Sequence, residues 1–227
     1  IGSQHKAYVK TPQGAYWTDA KRGDIYFVGS QSFEEISNKN SANWFNDHLP
    51  FQILKDFPEI DTDNPVKGLG IVMTWDERLK KLLVTKLDHR LVEQYRGQVN
   101  YVGGKFYYQG NVIELSNPTY FENHSWTAGY SPLANQGKGA WISFYSFLPN
   151  HYVSFVNHFQ SATKTAIWNH NLSQLTYQTY YGNFYPYIIE YTVNSGGVET
   201  ILNSVTLIQD ILKYYNDYDY YSLGSNN

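Results

Sequence analysis

The apolar and aromatic residues of this chain come in short runs broken by glycine, proline, asparagine and aspartate, and this punctuation constrains the fold more than any other feature. Short alternating runs between turn residues are the signature of β-strands in series. Residues 14–28 read as a hairpin: Ala15-Tyr16-Trp17-Thr18, a turn over 19–24, then Ile25-Tyr26-Phe27-Val28, with Gly23 available for positive φ. Residues 70–86 repeat the shape, with Ile71-Val72-Met73-Thr74-Trp75 entering, Asp76-Glu77-Arg78 turning and Leu82-Leu83-Val84-Thr85 returning. Asp19 and Asp76 open the two turns with the same spacing to a following base, Lys21 or Arg78, and to an aliphatic, Ile25 or Leu82. An aspartate at a turn start accepts nearby backbone N–H groups, so both carboxylates are expected to do so.

Further strands are expected at 99–102 and 105–108 around Gly103-Gly104, at 112–115, at 125–130 paired with 140–147, at 152–160 with 166–170, and at 187–193 with 198–212. One segment reads as helix, 40–49: Ser41 stands at its start, Trp44, Phe45, His48 and Leu49 form a stripe, and Pro50 ends it. Hairpins in series with almost no helix predict an all-β fold, propeller-like as a partial β-propeller, with a β-sandwich or barrel as the alternative. Tyr16-Trp17-Thr18-Asp19, followed by Arg22-Gly23-Asp24-Ile25-Tyr26, is similar to the YWTD blade repeat and favours the propeller. Residues 1–212 are expected to form one β-rich domain, and 213–227, rich in tyrosine, aspartate, serine and asparagine, a flexible tail or linker. The chain begins at Ile1 and its one methionine is Met73, so it reads as a piece of a longer protein.

Composition narrows the function. There is no cysteine, which excludes disulfides and thiolate metal sites. Charged residues make up 16% and the net charge is −3, and no lysine–arginine cluster tracks a phosphate backbone, so nucleic-acid binding is not the expected task. No apolar run approaches the roughly 18 residues of a membrane span. With 22 tyrosines, 12 phenylalanines and 6 tryptophans, the chain suits pleated, half-buried surfaces and subunit contacts. Trp141, Ile142, Phe144 and Trp168 are expected on packed faces.

Each candidate for chemistry has a plainer reading beside it. Residues 59–64, Glu-Ile-Asp-Thr-Asp-Asn, alternate oxygen ligands as calcium loops do, but lack the glycine and distal glutamate of an EF-hand, and read as an acidic turn before Pro65. Arg22-Gly23-Asp24 matches the integrin-binding tripeptide and reads as a hairpin turn. The histidines, among them His151, His158 and His170, lack metal-ligand spacing. Glu34, Glu35, Glu114, Glu122 and Glu190 are the carboxylates available to a glycosidase pair, which would need two of them about 5 to 9.5 Å apart. Trp126, Trp141, Trp168 and the tyrosine-rich stretch 177–187 are the residues for a sugar-stacking platform, with core packing as the plainer use. No nucleophile elbow, phosphate loop or zinc-protease helix is present. No catalytic residue, cofactor or required metal is therefore expected.

Several strings carry a resemblance. They run from His5-Lys6 and 16–23 through Ile36-Ser37, Trp44-Phe45 and Gly68-Leu69-Gly70 to Thr74-Trp75-Asp76-Glu77-Arg78, 82–86 and Asp88. They resume at Gly139-Ala140-Trp141-Ile142-Ser143-Phe144-Tyr145-Ser146-Phe147-Leu148-Pro149, at Ile167-Trp168-Asn169-His170-Asn171, and at Tyr180-Tyr181-Gly182 before 188–193. Over roughly residues 5–212 the chain resembles the tail muzzle, or stabilisation, proteins of crAss-like phages, whose members are much longer. The resemblance implies a virion protein with no catalytic motif: a structural part of a short, podovirus-type tail, in a nozzle-like ring around the DNA exit channel. Its partners would be copies of itself and other phage tail proteins, with DNA only as passing cargo. The alternative is a carbohydrate-binding module recognising a host-surface glycan. Interface cores are rich in tyrosine and poor in charge, so 177–187 and 214–221 are the expected contact stretches, with Tyr180, Tyr185 and Tyr187 as the candidate interface residues.

Overall fold

The computed structural model describes residues 4–39, 41–170, 179–185, 211–214 and 220–223. The chain falls into two compact units, Ile1–Leu175 and Thr176–Asn227.

Alternation of inward and outward side chains builds the first sheet. Strands β1 (Tyr8–Thr11), β2 (Gly14–Asp19), β3 (Asp24–Gly29) and β4 (Phe33–Glu35) pair antiparallel in chain order. Tyr16, Thr18 and Ile25 turn inward and are buried, while Trp17 and Tyr26 face outward opposite each other. The expected turn chemistry is present: Asp19 Oδ1 accepts from the Lys21 and Arg22 amides at 3.2 and 3.4 Å, and Gly23 takes a φ of 83°. Helix α1 (Ala42–His48) follows, within the expected span, although the Ser41 side chain makes no capping hydrogen bond.

The second expected hairpin is β5 (Gly70–Asp76) with β6 (Lys81–Leu87), and Asp76 Oδ1 accepts from the Arg78 and Leu79 amides, each at 3.0 Å. Strand β7 (His89–Leu91) leads to the meander β8 (Val99–Val102), β9 (Lys105–Tyr108) and β10 (Asn111–Ile113), turned at Gly103-Gly104 with φ of 59° and 80°. Positive φ at both central residues is what a tight type I′ hairpin turn requires. Strand β11 (Phe121–Asn123) returns to pair with β7. Strand β12 (Trp126–Ser131) then lies beside β6, and β13 (Ala140–Tyr145) beside β12, giving a central sheet of order β13-β12-β6-β5. A last meander in this unit comprises β14 (His151–Ser154), β15 (Phe159–Ala162) and β16 (Ile167–His170). The expected strand 152–160 is thus two strands, because Phe155 donates to the His158 carbonyl at 2.9 Å and turns the chain.

Over β5, β6 and β12 the central sheet is covered on both faces, and every residue of β5 and β12 is buried. One face presents Ile71, Met73, Trp75, Leu82, Val84, Trp126, Ala128 and Tyr130 to the main core, which includes Tyr16 and Ile25 of the first sheet and Phe45 of α1. The opposite face meets the last meander: Thr74 bonds Ser154 at 2.6 Å and Thr85 bonds the Tyr152 hydroxyl at 2.7 Å. The segment leading into β1 is also fastened to the central sheet, with the Met73 amide donating to the Lys6 carbonyl at 3.2 Å and the Ile71 amide to the Gln4 side-chain Oε1 at 3.0 Å.

A bulge opposite Gly129 and Tyr130 shifts the register of β13, so that Trp141 pairs with Tyr130 and Phe144 with Ala128. Trp141 donates its indole N–H to the Ile36 carbonyl at 2.8 Å and packs on Phe45 and Tyr130. Ile142 and Phe144, expected on packed faces, are instead 46% and 64% exposed. They sit on β13, which among the described residues is an edge strand of the sheet, although Phe144 still sets its ring on Trp44. Trp168 is half-buried.

In the second unit β17 (Thr179–Tyr180) pairs with β18 (Asn183–Phe184), and β19 (Ile211–Tyr214) with β20 (Tyr220–Leu223). The expected domain boundary after 212 falls inside β19, and most of the pair expected at 187–193 and 198–212 lies outside the described residues. The architecture is all-β, in several antiparallel sheets with little helix. Among the described residues no sheet closes into a barrel, and no helix is long and apolar enough to cross a membrane.

The two sides of β13 separate in a stability measurement. Trp141→Ala, which empties a packed site, is expected to cost about 3 kcal/mol. Ile142→Ala, on the exposed side, should cost about 0.5 kcal/mol or less. Urea unfolding monitored by circular dichroism checks both.

Candidate functional site

The residues capable of chemistry are mostly enclosed. Lys86 projects from β6 into the core and Asp88 follows just past the strand end; neither side chain has any exposure. A buried charge must be paired and hydrogen-bonded to be tolerated. Lys86 Nζ donates to the His48 carbonyl at 2.8 Å, the Pro50 carbonyl at 2.9 Å and Asp88 Oδ2 at 2.6 Å, which uses all three of its donors. Asp88 also accepts from the Gln52, Ile53 and His89 amides, and the Phe51 ring lies 4.9 Å from the ammonium. Burial pushes the lysine pKa down, against the opposing pull of Asp88. A lysine so shifted is suited to Schiff-base chemistry in an open site. Here nothing can reach it, so the pair is structural.

A second enclosed group lies between the central sheet and the last meander. Thr85 bonds both Thr127 and Tyr152 at 2.7 Å, and Thr127 also bonds the Phe147 carbonyl at 2.6 Å. Further along, Ser161 Oγ lies 2.7 Å from His170 Nε2. That separation resembles a nucleophile with its base. Ser161 is 1% exposed, however, and the His170 ring is sandwiched against Phe159, with centroids 4.4 Å apart and planes within 5°. Burial pushes the His170 pKa down to about 4, with Asp76 opposing, so the ring stays neutral and is a poor base at neutral pH.

The residues expected to form sites do not converge on one. In the acidic turn 59–64 Asp63 pairs with His5, and one oxygen of Asp61 accepts the Asp63 amide. Among the described residues no three histidine, aspartate or glutamate side chains gather where a metal could sit. Arg22-Gly23-Asp24 occupies the β2–β3 turn. Glu34 and Glu35 are neighbours on β4, where Glu34 pairs with Lys39 at 2.9 Å and Glu35 accepts from Ser37; Glu122 on β11 lies 3.4 Å from His124, and Glu114, just past β10, lines a cleft. Glu190 lies outside the described residues. Trp126 is buried with its indole N–H on the His48 carbonyl, and Trp141 is packed as described, so neither offers a face to a sugar. Of the interface tyrosines, Tyr180 and Tyr185 come together at 6.0 Å across the β17–β18 hairpin, both half-buried, and Tyr187 lies outside the described residues.

The surface feature that sequence reasoning passed over is the outer face of the first sheet. Trp17, Tyr26 and Phe33 form a contiguous aromatic cluster, with centroids 5.4 to 6.0 Å apart. Tyr8 beside them is 52% exposed and Phe33 65%. Asp24, which accepts the Tyr26 hydroxyl, and Glu35 border the cluster; burial and then the nearby Asp24 hold the Glu35 carboxyl above its ordinary range. The signal was available in the strand phase, since Trp17 and Tyr26 alternate with the buried Tyr16 and Ile25. No protein-family model, no curated protein and no solved structure matches this chain significantly.

His170 makes stability depend on pH with a definite sign. Its pKa is about 4 in the fold, against 6.5 when free, so the unfolded chain binds the proton first as pH falls. Stability should therefore fall between pH 6.5 and 4, by about 3 kcal/mol from this residue alone. His170→Asn is expected to flatten that part of the pH profile of urea unfolding, and an unchanged slope would assign it to other groups.

Proposed function

We propose that the chain is a structural module of a short bacteriophage tail, part of a muzzle or nozzle ring around the DNA exit channel, and that it acts by contact and not by catalysis. The observation that carries this reading is the contrast between inside and outside. Groups able to do chemistry are enclosed and hydrogen-bonded, while an aromatic cluster bordered by Asp24 and Glu35 stands exposed on the first sheet. Monomeric proteins seldom leave such surfaces uncovered, and tyrosine and tryptophan are the residues that interface centres favour. Copies of the chain and other tail proteins would cover it, with Tyr180 and Tyr185 offering a second contact in the other unit.

Three sheets face one another in succession, the first sheet, the central sheet and the last meander, and this stacking supports a reading as blades of a partial propeller. The net charge of −3 suits a wall along which DNA passes without being gripped. The string resemblance to crAss-like phage muzzle proteins supplies the setting, the virion.

Electron microscopy of purified virions labelled with antibody against this chain tests the proposal. Label at the distal end of the tail is the expected result, and label on the capsid, or none on the virion, would overturn it. Phe33→Asp should leave the isolated fold intact and reduce the yield of tailed particles.

A further inference from the structure

A cleft of about 620 Å³ opens in the first unit, where four separate segments meet. That volume falls within the roughly 300–1,000 Å³ of small-ligand sites. Lys67 enters it from the short 3-10 turn Pro65–Lys67, Lys105 from the start of β9 just after Gly103-Gly104, and Lys164 from the turn between β15 and β16. All three are exposed, and among the described residues none forms an ion pair, although Asp61 and Glu114 line the same cleft. Tyr101, held by Phe57 and Phe106, supplies an aromatic wall.

Three lysines against two carboxylates leave this concave surface with an excess of positive charge, and a concave wall focuses the pull of that charge on an anion. An anion seated among the lysines balances it. The anion must also suit Asp61 and Glu114, which when ionised can accept hydrogen bonds but not donate them. A run of phosphates brings charge without hydroxyl donors and would be repelled by both carboxylates. A uronate sugar brings a carboxylate for the lysines, hydroxyls that donate to Asp61 and Glu114, and an apolar C–H face for Tyr101. We infer that this cleft binds an acidic, uronate-containing saccharide. It is built from different residues than the aromatic face of the first sheet, and its ligand does not depend on the tail assignment.

Isothermal titration of the full chain with hexagalacturonate, with the neutral maltohexaose and with a single-stranded hexathymidylate tests this. Saturable binding of hexagalacturonate that weakens with added salt is expected, with none of maltohexaose and weaker binding of the oligonucleotide. The triple variant Lys67→Ala/Lys105→Ala/Lys164→Ala should raise the hexagalacturonate Kd roughly tenfold or more, because each lost charge-assisted hydrogen bond weakens the complex. The single variant Lys105→Gln, at an exposed strand end, should shift it in the same direction with an unchanged melting curve. No binding of hexagalacturonate, unaltered binding by the triple variant, or equally tight binding of hexathymidylate would overturn the inference.

Discussion

A lysine and an aspartate shut away from water fix the centre of this molecule. Moving two such ions out of water costs several kcal/mol each, and the cost is offset only when every donor and acceptor is used. Lys86 and Asp88 meet that condition by drawing in the segment that follows α1: the ammonium takes the His48 and Pro50 carbonyls, and the carboxylate takes the Gln52 and Ile53 amides. Trp126 shares the His48 carbonyl, and Ser125 bonds both the amide and the carbonyl of Asp88. The end of β6, the start of β12 and the exit from α1 are thereby held at one point. From there Phe45 reaches the space between Trp126 and Trp141, at ring distances of 5.9 and 4.5 Å.

With α1 and the first sheet on one face and the last meander on the other, strands β5, β6 and β12 of the central sheet have no wet side. The polar side chains enclosed between it and the last meander find partners there: Thr85 bonds both Thr127 and Tyr152, and within the meander Ser161 meets His170. The same enclosure that stabilises these groups removes them from any substrate. Function is left to what the outside offers: an aromatic sheet face, a tyrosine pair in the second unit and a lysine-lined cleft. Contact surfaces of this kind need a rigid support, and a sheet packed on both faces provides it.

Local features were legible in the sequence and distant ones were not. The hairpins at 14–28 and 70–86 could be read because turn aspartate, glycine and strand alternation lie within one short stretch. The pairing of β12 with β6 leaves no local trace, nor does that of β7 with β11, since register across a long loop is set by burial in three dimensions. The bulge in β13 defeated simple alternation, and Ile142 came out exposed as a result. Lys86 looks like a solvent-facing residue of an alternating strand; the overlooked cue was that 82–87 is otherwise almost unbroken in apolar residues and threonine, the mark of a strand covered on both faces. The cleft was invisible for a different reason: Lys67, Lys105 and Lys164 are far apart in the chain, and only folding brings them together.

A double-mutant cycle on the central pair tests whether it organises the fold in this way. Lys86→Met leaves a buried carboxylate without its cation, and Asp88→Asn leaves a buried ammonium without its anion, so each change alone should cost about 3–5 kcal/mol. Asparagine keeps an acceptor for the Gln52 and Ile53 amides, and methionine fills the volume of the lysine stem. The double variant, measured by urea unfolding, is therefore expected to lose much less than the sum of the two, with a coupling energy of about 2 kcal/mol or more. Additive losses would contradict the account, because they would mean that the two charges do not depend on each other and that the packing around them holds the segment after α1 in place.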